Sequence, residues 1–432
     1  MQVSTRSLMF VAIASVLGCA TTRAASPPPA APAAAPQAAT APQKDSTPPT
    51  PPGAGALSAP NADPFPSTYR AIPSGPVAIR NATILTAVGP RIQNGTIVLR
   101  DGKIVAIGAN ITVPPDARVI DGTGKFITPG IIDTHSHLGV YAAPGGDALS
   151  DGNEMVSPST PNVWAEHSVW PQDPQFPRAL SAGVTTIQVL PGSGNLIGGR
   201  STVLKVVPSR TVQGMKFPAA KYGLKMACGE NPKRVYAQRG LMTRMGNVAG
   251  YRAQWINAEA YRRRWDKWLA DKKGDPPARD LGMETLAEVL RGNIFVHNHC
   301  YRADEMAQMI DIAKEFGYTI KSFHHGVEAY KVADLLAANN ISASVWSDWG
   351  GFKMEAMDGI RGNLPLLHNA GVRTIVHSDD ANRRDAVVAR HLDQRRVRVE
   401  TLPHLVRGRD RVTAAAGWRV VRFRNRADLH HA

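Results

Sequence analysis

From residue 77 the chain alternates short apolar, β-branched runs with two-residue turn signals. Val77-Ala-Ile-Arg-Asn-Ala-Thr-Ile-Leu85 is followed by Asn94-Gly95, Thr96-Ile-Val-Leu99, Asp101-Gly102 and Lys103-Ile-Val-Ala-Ile-Gly108. Asn-Gly and Asp-Gly between such runs favour the positive φ of tight hairpins, so the pattern predicts a small antiparallel β unit within residues 67–128. After residue 138 the rhythm changes. Apolar runs at 183–190, 222–226, 293–297, 319–325, 341–346 and 372–379 alternate with stretches of helical spacing, such as 302–316 and 328–338. Strand and helix in alternation predict an α/β fold, a parallel barrel spanning 129–382. The aromatic and basic residues of 251–275 recur at helical spacing and predict an amphipathic helix covering that barrel. The Gly-rich stretch 191–199 lacks phosphate-cradle spacing and reads as a βα loop lining a substrate site, with Arg200 beside it to pair a substrate carboxylate.

Composition separates the two ends from this middle. Residues 1–19 carry Arg6, an apolar stretch from Leu8 to Leu17 and then Gly18-Cys19, the layout of a secretory signal peptide and too short to span a bilayer. Leu17-Gly18-Cys19-Ala20 resembles a lipoprotein cleavage box, which would leave Cys19 as a lipid anchor; plain cleavage near Ala24-Ala25 is the alternative. Export to the periplasm, free or anchored to the outer membrane, is the expectation. Residues 20–66 are dominated by Ala, Pro, Ser and Thr and read as a disordered tether. Cys228 and Cys300 are the remaining cysteines, too few for a dense disulfide framework.

The formal charge is +15, and residues 383–432 supply +8 of it, with 13 Arg and no Lys against 5 acidic residues. No nucleic-acid-binding fold signature accompanies that charge, so a nucleic-acid partner is not expected.

The candidate chemistry sits at strand ends. His135 and His137 close the apolar run Gly130-Ile-Ile-Asp-Thr134, and an i, i+2 pair on a strand faces one way and can share a metal ion. The same alternation puts His297 and His299 on one face and lets one of His324 and His325 face the barrel lumen. Lys225 lies inside an apolar run, where an unpaired ammonium is costly; an ion pair with Glu230 or an edge position would relieve it. Asp380, beside Asp379, reads as a helix N-cap.

The order IVLRDGKIVAIG … VIDGTGKFITPGIIDTHSHL resembles the entry to an amidohydrolase-superfamily hydrolase, and the likeness runs through most of residues 77–382. The later strand ends are most similar to the imidazolonepropionase-like and Xaa-Pro-dipeptidase-like branch. The resemblance implies a TIM-like (β/α)8 barrel with a small β-sandwich. It implies His135, His137, Lys225, His297, His325 and Asp379 as metal ligands, with Lys225 carboxylated to bridge two ions in a binuclear site. Asp379, His299 and His325 would carry catalysis. His299 and Tyr301, with Arg200, would contact a small-molecule or dipeptide substrate, and His324 would be left to packing or to support the ligands. The donors suit one or two Zn2+ ions, with Fe or Mn as alternatives.

The implied activity is hydrolysis of an amide, cyclic amide or dipeptide C–N bond, with deamination of a heterocycle as the runner-up. After residue 382 the chain departs from the family: the last helix and the return strands bearing Gly-Lys-x-Ala-Asp are not in the sequence. Barrel and sandwich are therefore expected to be incomplete at the C-terminus, and a catalytically impaired remnant with a frameshifted or replaced tail is the competing reading. The sequence does not specify an oligomeric state.

Overall fold

A computed structural model of the chain describes residues 58–240, 242–346, 350–377 and 379. The signal-peptide and lipid-anchor expectations, most of the tether, Asp380 and the Arg-rich tail lie outside the described residues.

The N-terminal sheet contains β1 (Val77–Ile84), β2 (Ile92–Arg100), β3 (Lys103–Gly108), β4 (Arg118–Asp121) and β5 (Phe126–Ile127). Its order is β3-β2-β1-β4, with β5 also pairing β1. Asp101 and Gly102 both have positive φ, 46° and 75°, and make the tight β2–β3 hairpin turn the sequence predicts. Asn94-Gly95 does something else. It lies within β2, where the pairing with β1 slips between Ala82 and Ile84, so the Asn-Gly pair forms a bulge instead of a turn. Ile79, Ala82, Ile84, Ile97 and Ile127 form this unit's own core.

The second sheet has eight strands, β6 (Ile131–Ser136), β7 (Val184–Val189), β8 (Ile197–Lys205), β9 (Gly223–Ala227), β10 (Phe295–Cys300), β11 (Ile320–His325), β12 (Ser342–Val345) and β13 (Thr374–Val376). They pair in sequence order from β6 to β13, and the sheet curls into a nearly closed barrel, giving an α/β, TIM-like architecture with a small sheet domain beside it. Neighbours are parallel except for β8, which runs antiparallel to β7 and β9. The stretch 191–199 is thus a hairpin connection and the start of a strand, not a βα loop. Gly199 makes this possible: at φ 105° it lies where a Cβ would come within 2.3 Å of the Val163 carbonyl.

Helices α1 (Gln175–Ser181), α2 (Val212–Met215), α3 (Glu230–Val235), α4 (Arg244–Asp271), α5 (Leu281–Leu290), α6 (Ala303–Phe316), α7 (Ala333–Ala338) and α8 (Asn363–Asn369) connect the strands. α4 is the amphipathic helix expected from the aromatic spacing, and Tyr251, Trp255, Ala258, Tyr261 and Trp265 form its buried stripe. The main core lies between helices and the outward strand face, around Leu224, Met226, Val296, Phe323 and Ala343.

Residues 58–66, which composition assigns to the tether, are docked on the barrel. Asp63 pairs with Lys216 at 2.7 Å, and the Phe65 ring packs on His167 and Trp164. Two apolar or charged anchors are enough to order a short polar segment that cannot form a core of its own.

Candidate metal centre

Four strand ends deliver imidazole or carboxylate groups to the lumen at the C-terminal end of the barrel, where such folds place their chemistry. From β6 and the residue after it come His135 and His137; from just beyond β13 comes Asp379. Asp379 Oδ1 lies 3.3 Å from His135 Nε2 and 3.3 Å from His137 Nε2. These three donors form a group able to hold one ion. From β11, His325 Nδ1 stands 3.6 Å from Asp379 Oδ2.

The tautomers are set by neighbours. His137 Nδ1 donates to the Leu190 carbonyl at 2.8 Å, which leaves Nε2 as a lone pair directed at Asp379. His135 Nε2 and His325 Nδ1 are buried and make no hydrogen bond among the described residues. Burial pushes His135 and His325 well below the usual histidine range, so both rings are neutral. Neutral imidazoles and an ionised carboxylate are the protonation states a cation needs. Buried lone pairs that converge without hydrogen bonds therefore fit a divalent metal.

The opposite side of the lumen is arranged differently. Lys225 on β9 is in register with His297 on β10, and His299 with His324 on β11. His297 Nδ1 meets His324 Nε2 at 3.1 Å, and His297 Nε2 meets Gln188 Nε2 at 3.1 Å. His324 Nδ1 meets His135 Nδ1 at 2.8 Å. Both His297 nitrogens have hydrogen-bond partners in this arrangement. Lys225 Nζ is buried with no hydrogen-bond partner among the described residues, and burial lowers its pKa to about 8. No ion pair with Glu230 forms; Glu230 pairs instead with Lys353 at 3.2 Å.

His324 and His325 correct the simple alternation rule. Opposite Val296 and His297, β11 carries one extra residue, so Ile320 pairs with Val296 but Ser322 pairs with His297. This slip turns Ser322 and His324 inward and sends Phe323 to the outer core. His325 then takes φ 74°, which swings its ring back toward Asp379. Both histidines reach the lumen. His377, also not foreseen, stacks on His135 with ring centres 4.8 Å apart. Its place two residues before Asp379 was the available signal.

Of the substrate candidates, His299 faces the lumen, with its ring 4.4 Å from His325 and its Nε2 3.4 Å from Asn231 Nδ2. Tyr301 packs its ring against His299 and Trp346, with Lys353 Nζ 4.1 Å above it. Arg200 is not with them. It is paired in register with the outward-facing Leu224 and donates from Nε to Thr285 and from NH1 to the Ala62 carbonyl, both at 2.8 Å, while stacking on Trp164. Two of its guanidinium nitrogens thus hold the N-terminal segment and α5 to the barrel, on the strand face turned away from the lumen. Cys228 and Cys300, at the ends of β9 and β10, form a disulfide with Cα atoms 5.3 Å apart.

No family model matches the chain. It is 33% identical over 313 residues to the amidohydrolase tasK of Hapsidospora irregularis, covering 67% of this chain and 31% of that protein. It is 31% identical over 122 residues to the imidazolonepropionase of Alkaliphilus metalliredigens, covering 24% of this chain and 29% of that protein. The chain therefore spans about a third of the length of these curated relatives. Among solved structures, an amidohydrolase from Thermotoga maritima MSB8 superposes with a TM-score of 0.68 at 34% identity, over 77% of this chain and 85% of that one.

Proposed function

Because this chain belongs to the amidohydrolase superfamily, in its imidazolonepropionase-like branch, we propose that it hydrolyses a C–N bond of a small amide, cyclic amide or dipeptide with the help of a divalent metal. The observation that carries this reading is the convergence of His135 Nε2, His137 Nε2 and Asp379 Oδ1 on one point. These three groups would hold the ion, with His325 close enough to join them. Their nitrogen and oxygen donors favour Zn2+, with Fe or Mn as alternatives. When bound, the ion supplies Lewis acidity toward water and toward the scissile carbonyl.

The protein supplies the rest. Asp379 takes the proton of the attacking water and returns it to the leaving nitrogen, and its Oδ2, beside His325, is the atom that holds the proton between those steps. His325 and His299 remain neutral by burial and orient the substrate carbonyl without adding charge. A cavity of about 220 Å3 adjoins His325 and is lined by Val327, Trp346, Ile360, Arg361 and Asn363. It has room for the part of a small substrate that flanks the reacting carbon, and the Tyr301 and Trp346 rings shield that side of the site from water. The proposal includes export, supported by the layout of residues 1–19 and by a disulfide suited to an oxidising compartment.

The test is a panel of dipeptides, cyclic amides and amino-substituted heterocycles offered to the Zn2+-supplemented full chain. Release of a carboxylate and an amine from the amides, lost in His137→Ala, is the expected result. Ammonia from the heterocycles alone would make the chain a deaminase. Turnover of none, with metal bound, would support the inactive remnant.

A further inference from the structure

The cavity beside His325 has apolar walls from Val327, Trp346 and Ile360, and two further polar side chains, Arg361 and Asn363, line it. None of its lining residues is acidic. Asn363 is buried at the start of α8, and its Nδ2 donates to the carbonyl oxygens of Gly326 at 2.9 Å and Val327 at 3.2 Å. Two carbonyls accept only from N–H, so the side-chain amide is fixed in one orientation. Its Oδ1 is left buried without a hydrogen-bond partner among the described residues, which is costly unless a ligand donates to it. Arg361, just before it in the chain, is exposed at the same cavity and makes no hydrogen bond or ion pair among the described residues.

A fixed acceptor and an unspent cation on one apolar cavity match a group in which an N–H and a carboxylate flank a carbon that bears a side chain. That group is the leaving half of an N-acylated amino acid or of a dipeptide. The other half of a dipeptide ends in an ammonium, which Arg361 would repel and for which the cavity lining offers no carboxylate. The substrate therefore lies with its acyl carbon toward the metal centre and its leaving amino acid in the cavity. An amide with a tertiary nitrogen, as in a bond to proline, brings no N–H to Asn363.

We propose that Asn363 and Arg361 are specificity-determining residues that select a secondary amide of an α-amino acid, Asn363 Oδ1 accepting the scissile N–H and Arg361 pairing with the α-carboxylate. This rests on the reading of the chain as a C–N hydrolase and narrows it to N-acyl amino acids and dipeptides whose second residue is not proline. The reaction consumes one water: its oxygen bonds to the acyl carbon, the C–N bond breaks, and the nitrogen takes up the water's protons, which releases a carboxylate and an ammonium. Bonds to proline fall outside the class because they leave Asn363 Oδ1 unmet, and neutral cyclic amides because they leave Arg361 unmet.

The measurement is kcat/KM of the Zn2+-loaded full chain for Ala-Leu, its C-terminal amide Ala-Leu-NH2, Ala-Pro and Ala-N-methylleucine, with the first two repeated in Arg361→Gln. Arg361 is exposed, so this substitution removes a charge without opening a hole in the core. We expect Ala-Leu to exceed Ala-Leu-NH2 by about tenfold or more in the unsubstituted chain, and that ratio to shrink to within about threefold in Arg361→Gln. Ala-Pro and Ala-N-methylleucine both lack the N–H but differ in bulk. Both should fall about tenfold or more below Ala-Leu, since each leaves Asn363 Oδ1 unpaired. Equal rates for the free acid and its amide would overturn the proposal, as would the same ratio in Arg361→Gln or cleavage of Ala-Pro as fast as Ala-Leu. If none of the four is cleaved, the hydrolase reading itself fails. Calorimetric dissociation constants for the same compounds then judge the subsite by the same ratios.

Discussion

The two halves of the barrel lumen are built from the same residue types and behave in opposite ways. On the β6 and β13 side, His135, His137 and Asp379 aim donor atoms at a shared point, and His135 Nε2 makes no hydrogen bond among the described residues. On the β9, β10 and β11 side, His297 and His324 satisfy one another and Gln188, and Lys225 is left without a hydrogen-bond partner among the described residues. A buried polar group is costly unless something meets it. The first half is one that a cation would complete, whereas most of the second is already complete. Histidine count alone does not identify a metal site; the direction in which each lone pair is spent does.

The largest effect should come from the half that is open. Asp379→Asn keeps the size of the side chain but removes both the negative charge and the proton acceptor. Turnover of a cleaved amide should fall by a factor on the order of 10^3 or more, read as kcat at saturating metal. A fall of less than tenfold would move the base elsewhere and erase the contrast between the halves.

Lys225 sharpens the comparison from the other side. Its amine is pushed down to about 8 in the folded chain by burial. Unfolded lysine keeps its proton to about 10.4. Below pH 8 the folded protein carries a buried ammonium at full cost, and between about 8 and 10.4 that cost fades because only the unfolded chain holds the proton. Lys225→Met should therefore stabilise the metal-free protein by roughly 3 kcal/mol at pH 7, less at pH 9 and hardly at all near pH 10.4. Chemical denaturation at three pH values reads this. The substitution should also leave the metal stoichiometry unchanged, since a loss of one ion from two would show instead that Lys225 bridges a binuclear site.

A smaller effect distinguishes the lumen from the outer strand face. Arg200→Ala should destabilise the chain by about 2 kcal/mol or more, because it strips partners from Thr285 and the Ala62 carbonyl, while leaving KM within twofold. A large rise in KM with unchanged stability would return Arg200 to the substrate site. The smallest expected change concerns Glu305, which burial and then Glu355 raise to about 7 against the opposing pull of Arg244. A carboxyl raised in the folded state loses stability as pH climbs from its unfolded value toward 7. Glu305→Gln should thus look more favourable, relative to wild type, at pH 8 than at pH 5 in thermal melts.

Much of this arrangement was legible in the sequence where period and chemistry coincide. The His135-Ser-His137 pair needs only the two-residue repeat of a strand, and Asp101-Gly102 needs only its backbone preference. The aromatic stripe of α4 needs only helical spacing. What escaped depends on geometry with no local signature. The one-residue slip in β11 reverses the phase of everything after it, so uninterrupted alternation from the outward Ile320 sends His324 the wrong way. The bulge at Asn94-Gly95 uses the residues of a turn for a different purpose. Arg200 beside a Gly-rich stretch looked available because its partners, Thr285 and Ala62, lie 85 and 138 residues away.

The central claim, that His135, His137 and Asp379 form a metal centre, is tested most directly by elemental analysis of the purified full chain after exhaustive dialysis, alongside His137→Ala. The account predicts about one tightly held ion of the zinc class per chain in the first protein and its loss in the second, with both proteins folded by circular dichroism. Metal content near zero in the unsubstituted chain after Zn2+ loading, or the same content in both proteins, would contradict it.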